Sequence, residues 1–188
     1  MKAKPVIKAA FLRVSFLLII VCSASCKKHN PIESALKNET FTKTEKEEIE
    51  AFFFIATANV SSSIISKSQI AQQKCSEISI QELSKKIEAH QTELLQEITK
   101  IANKRLVIIT EIDATHKRDL YKLIDAGDTN FKGAYLNSIT ESLDEQIKLL
   151  ESISKQTNDK TILSLVLKYL PEQKKLLSET ESLKKVMN

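Results

Sequence analysis

Two glycines in 188 residues constrain this chain more than any motif in it. Tight β-turns and phosphate-cradling loops need a residue that takes positive φ without strain. A β-rich fold and a Gly-rich nucleotide loop are therefore both excluded, and helices joined by short polar links are what remains. The composition, 42% hydrophobic and 28% charged, is ordinary for a globular protein and rules out collagen-like, low-complexity and disulfide-scaffold chains.

Apolar spacing places the helices. From Thr44-Glu45-Lys46-Glu47, which has the form of a capping box, Ile49, Phe53, Ala56, Val60 and Ile64 recur at intervals of three and four. This predicts a first helix over about 45–73. Ser79-Ile80-Gln81-Glu82 is a second capping box, followed by a stripe of Ile80, Leu83, Ile87, His90, Leu94 and Ile101 that ends near Asn103. A third helix is expected after Asp128-Thr129, with Phe131, Tyr135, Ile139, Leu143, Ile147, Leu150 and Ile153 on one face. The fourth follows Asp159, using Ile162, Val166, Tyr169, Leu170, Leu176, Leu177 and Leu183. Pro171 interrupts that last stripe; it removes an amide bond and crowds the carbonyl of Leu167, so a bend is expected there.

Helices one and two, and three and four, are separated by only a few residues, so each pair should be an antiparallel hairpin. About 25 residues, Lys104 to Thr129, separate the pairs; they hold the extended-looking run LVIITEID and a short helix, His116 to Ala126, stopped by Gly127. Two hairpins and one long connection describe an all-α, ferritin-like four-helix bundle.

The N-terminus reads as an address. Residues 1–8 carry three lysines and no acid, the apolar run VSFLLIIVC follows Arg13, and Ser23-Ala24-Ser25 precede Cys26. A basic segment and a short apolar segment of this size match a secretory signal peptide, and the run is too short for a comfortable membrane span. Small residues before a cysteine resemble a bacterial lipobox, in which Cys26 would be lipidated; Ser23 departs from the aliphatic residue usual there. Ordinary cleavage after Ser25 fits the same residues. The expected division is a signal peptide at 1–25, a polar tether at 26–43 containing Pro31, and a bundle at 44–188, in a protein exported to the periplasm or outer membrane and held by a lipid on Cys26.

Removing the signal changes the charge argument. The formal charge of +4 suggests an anionic partner, but Lys2, Lys4, Lys8 and Arg13 lie within residues 1–25, leaving 24 basic against 24 acidic residues. The remaining Lys and Arg are scattered among acids and form no concentrated basic face, so no nucleic acid partner is expected. Partners are the membrane, through Cys26, and envelope proteins.

Few residues invite chemistry. His90 lies in an apolar stripe, but a lone imidazole cannot complete a metal site that needs three or four ligands. His116 has Asp113 and Asp119 three residues to either side, a conceivable surface cation site or simply a capped, solvated helix start. Cys75, at the joint of helices one and two, has no intramolecular partner if Cys26 is acylated, and is a free thiol or an intermolecular bridge. Tyr121, Tyr135 and Tyr169 read as core aromatics with hydroxyls at the rim. Ser61-Ser62-Ser63 lacks the strand-to-helix turn of a catalytic serine and suits close helix approach. No catalytic constellation and no cofactor are expected.

Three segments resemble the exported bacterial domain-of-unknown-function family 4142, whose members are described as outer membrane proteins. They are DATHKRDLYKL (Asp113–Leu123), NFKGAYLNSI (Asn130–Ile139) and YLPEQKKLL (Tyr169–Leu177), in the family's order and spacing. The likeness covers roughly 48–186 and implies a ferritin-like bundle without an established activity. His90 and His116 match family histidines. Leu143 and Leu176 stand where relatives carry others, and the first helix has no acid between Glu50 and Glu77. With no Glu-x-x-His anywhere, the resemblance implies an envelope lipoprotein acting as a structural or interaction module; the alternative is a metal-binding or redox protein using His90 and His116.

Overall fold

The computed structural model describes the backbone of residues 31–187, and side chains from Glu45 onward except Asp128. The chain divides into residues 1–42 and 43–188, and the bundle belongs to the second unit. The signal segment and Cys26 lie outside the described residues.

Five helices and no strand occur among the described residues: α1 (Pro31–Lys74), α2 (Ile78–Lys104), α3 (Ala114–Asp125), α4 (Asp128–Gln156) and α5 (Lys160–Met187). The all-α bundle is as expected, and several boundaries differ. α1 begins at Pro31, inside the stretch read as a tether, and runs through the Thr44 capping box. Proline is preorganised for the first helical turn, and the Glu, Ala, Leu and Lys residues that follow have good helix propensity. α2 starts at Ile78 with Glu77 as its N-cap, so Ser79 lies one position inside the helix. Gly127 also departs from expectation: its φ is −66°, and it is the N-cap of α4 rather than a left-handed stop for α3. Its carbonyl accepts from the N–H groups of Asn130 and Phe131, both at 2.9 Å.

Cross-helix bonds fix the directions. α2 and α5 are antiparallel, joined by Lys86–Glu179 at 2.7 Å, Gln91–Gln173 at 2.9 Å and Tyr169–Glu97 at 2.6 Å. α1 and α4 are antiparallel as well, through Thr157–Glu50 at 2.6 Å and Lys67–Ser142 at 2.7 Å. α3 runs parallel to α1: Asn59 meets Asp113 near its start, and Lys74 donates to the carbonyls of Ile124 and Ala126 at its end. The connector thus returns the chain to the other end of the bundle, giving two hairpins linked by one crossover.

The reversal after α2 is a Schellman turn in which Leu106 takes the left-handed position, φ 59°, usually held by glycine. Val107 N–H bonds to Ala102 carbonyl at 3.0 Å and Leu106 N–H to Asn103 at 3.2 Å. At that end Arg105 joins Glu50 (2.6 Å) and Asp159 (2.8 Å), holding the connector to α1 and to the start of α5. α5 passes through Pro171 as one helix. Pro171 and Leu167 lie on the exposed face, so water can take up the freed carbonyl.

The apolar core falls into two clusters. One gathers Ile64, Ile87, Leu136, Leu143 and Leu176; the other gathers Phe54, Leu94, Leu150, Ile153 and Val166. Each such fully buried side chain stabilises the fold by about 1.5–3 kcal/mol. By composition α1 is apolar enough to cross a membrane, yet half of that window is buried inside the bundle. Tyr135 is fully enclosed, hydroxyl included, rather than reaching the rim. Tyr121, expected in the core, is exposed on α3.

Candidate functional site

Between the two apolar clusters lies a neutral polar layer. On α2, Gln91 stands between Ile87 and Leu94; on α4, Gln146 between Leu143 and Leu150; on α5, Gln173 between Tyr169 and Leu176. All three are fully buried, as is Ser61 on α1. Gln91 donates to Gln173 Oε1 at 2.9 Å, while Gln91 Oε1, Gln173 Nε2, both amide atoms of Gln146 and the Ser61 hydroxyl have no partner. Metal centres of helical bundles are built in the core from side chains on facing helices. With only amides and a hydroxyl, the donor set does not fit an iron pair, which needs inward carboxylates and imidazoles.

His90 lies beside this layer, half-buried on α2, with its ring edge-on to Tyr169 at 5.5 Å between centroids. Its Nε2 is buried without a partner. Burial lowers its pKa, against the opposing pull of Glu172 and Glu93. The Tyr169 hydroxyl turns instead to Glu97, which also meets Lys168 at 2.8 Å; those two bonds hold the Glu97 carboxyl below its usual range.

His116 has quite different surroundings. Asp113 caps α3, its Oδ1 accepting the His116 N–H at 2.9 Å, while the Asp113 N–H donates to Asn59 Oδ1 at 3.0 Å. The cap and the link to α1 turn His116 inward, leaving it 7% exposed with Nε2 3.8 Å from Asp113 Oδ2. The start of α3 is capped as expected, but its histidine is buried rather than solvated.

His116 forms one wall of a polar cleft of about 270 Å³ between α1, α3 and α4, lined also by Lys67, Asp113, Thr115, Asp119, Glu141, Ser142 and Glu145. Lys67 is its most unusual member. At 2% exposure its ammonium donates to Ser142 Oγ at 2.7 Å and to the Ser138 carbonyl at 3.5 Å, with no carboxylate in ion-pair contact. Burial lowers its pKa, with Asp119, Glu141 and Glu145 pulling the other way. An ammonium has three protons, so one is left for a group in the cleft.

Lys67 is not among the residues that the sequence analysis singles out. The signal was present: it is the only charged residue between Glu50 and Lys74. An amine beside a serine hydroxyl can activate a nucleophile, but acyl transfer also needs donors for the oxyanion. Ser142 is mid-helix, where the neighbouring N–H groups are already bonded within α4, so the pair is not assigned a catalytic role.

Cys75 is buried and free, at the joint of α1 and α2. Among the described residues no three His, Cys, Asp or Glu side chains converge as a metal-ion ligand set. The structure gives His90 and His116 separate surroundings: His90 sits against Tyr169 of α5, and His116 lines the cleft with α1 and α4.

No curated protein and no solved structure matches the chain. A family model does, over residues 35–183: the domain of unknown function DUF4142. The match spans α2 to α4 entirely and most of α1 and α5, and the chain belongs to the DUF4142 family.

Proposed function

We propose that this protein is a cell-envelope lipoprotein, held to a membrane by an acylated Cys26, whose bundle is a binding module acting through the Lys67 cleft. The observation that carries the binding role is Lys67 itself. A desolvated amine without a carboxylate in contact costs stability, and an apolar residue would bury better at the same place. Such costs are retained where a site needs the group. The anchor rests on sequence: a basic start, a short apolar run, and small residues before Cys26. The balanced charge of the remaining chain favours envelope partners or small polar ligands over nucleic acid.

Labelled palmitate supplied to producing cells should enter the wild-type protein and not a Cys26→Ala variant. Incorporation that persists in the variant would refute the acceptor, and a protein released in soluble form by cleavage after Ser25 would refute the anchor. The metal-binding alternative through His90 and His116 makes a separate prediction. It requires stoichiometric iron, manganese or zinc in the purified protein, lost in a His90→Ala variant.

A further inference from the structure

The Lys67 cleft has its charges sorted by depth. Lys67 and Ser142 are buried at its floor, whereas Glu141 and Glu145 are exposed at its edge and Asp119 is half-buried beside them. Ser138, Glu141, Ser142 and Glu145 follow one another at helical spacing, so the two carboxylates flank the serine hydroxyl on one face of α4. Like charges four residues apart repel on a helix. Neither Glu141 nor Glu145 enters an ion pair among the described residues, although their neighbour Asp144 is held by Lys148 at 2.6 Å. Asp119, by contrast, is held by Lys122 at 3.0 Å.

We propose that this cleft binds a small zwitterion of the amino-acid type, with its carboxylate on the Lys67 ammonium and the Ser142 hydroxyl and its ammonium between Glu141 and Glu145. The proposal rests on the reading of the cleft as a binding site and adds the ligand's chemistry. A simple carboxylate would reach Lys67 only past four like charges, those of Asp113, Asp119, Glu141 and Glu145. A simple amine would satisfy the edge and leave the Lys67 ammonium without a carboxylate. A molecule carrying both groups meets each with its complement, and charge-assisted bonds of this kind are the strong ones. Size agrees, since the cleft holds about nine waters' share of liquid volume. Thr115 at the lip and His116 in the wall supply further polar groups for the body of the ligand.

Calorimetric titration of the purified full chain in detergent would test this, with L-lysine as probe, acetate standing for its carboxylate and n-butylamine for its side-chain ammonium. L-lysine should bind saturably, and each of the other two at least tenfold more weakly. Lys67→Met, and separately the double variant Glu141→Gln with Glu145→Gln, should each weaken L-lysine by about tenfold or more. Butylamine binding as well as L-lysine would overturn the zwitterion in favour of a plain cation site. Undiminished affinity in Lys67→Met would overturn the placement. Failure to bind L-lysine overturns the zwitterion alone if Lys67→Met is still more stable than wild type; if Lys67→Met is less stable, the binding-site reading falls with it.

Discussion

Lys67→Met should raise the stability of the protein by about 1–3 kcal/mol at neutral pH, measured by denaturant unfolding. A buried charge whose partners are a hydroxyl and a carbonyl does not recover its hydration, and an apolar side chain of similar length avoids that loss. The groups lining the cleft with the amine are Asp113, His116 and Asp119 from α3 and its cap, and Glu141, Ser142 and Glu145 from α4. The carboxylates favour the ammonium from a distance, but desolvation outweighs them.

The pH dependence has a definite sign. The folded pKa lies below the ordinary value of 10.5, so between the two values the unfolded chain holds a proton that the folded chain has released. Wild-type stability therefore falls as pH drops below about 10.5, and the penalty is complete once pH is below the folded value. The advantage of Lys67→Met should be largest near neutrality and shrink as pH approaches 10.5. A variant less stable than wild type at pH 7 would instead make the Lys67–Ser142 bond a structural link between α1 and α4.

Gln146→Leu should also stabilise, by about 1–3 kcal/mol, since each unpartnered polar atom deep in a core costs about that much. Gln146 is fully buried with neither amide atom bonded, and leucine has a similar volume and would join the two apolar clusters. Gln91→Leu is the contrast. It removes the donor to Gln173 Oε1 and leaves that oxygen buried without a partner, which offsets what leucine gains. Equal gains in both variants would show that the Gln91–Gln173 bond contributes nothing. Loss of stability in Gln146→Leu would show that the amide is held.

The long helices were legible because period 3.6 persists for several turns in each, and hydrophobic burial enforces that pattern. Their starts were less so. A capping-box sequence at Thr44 or Ser79 competes with residues upstream that are equally content in helix, and Pro31 prevails at α1. Gly127 was misassigned because a glycine between two helices can serve the end of one or the start of the next. Its ψ of 157°, extended rather than helical, places it before the start of α4 as the N-cap. One residue of rotation separates His90 from Gln91: apolar spacing puts the imidazole on the stripe, while the fully buried position is the amide beside it. The glutamine layer showed in sequence only as single Gln residues, Gln91, Gln146 and Gln173, set among the apolar positions of three helices. The Lys67 cleft depends on α3 lying beside α1 and α4, a tertiary placement that helical periodicity does not encode. Only the solitary charge in an apolar helix pointed to it.

A ¹³C NMR titration of the Lys67 side chain in the purified protein tests the central claim most directly. The account predicts a midpoint below 10.5, moving upward when L-lysine occupies the cleft and its carboxylate stabilises the ammonium. A midpoint at or above 10.5 in the free protein would contradict it, since the amine would then be solvated or ion-paired and the cleft would hold no desolvated charge.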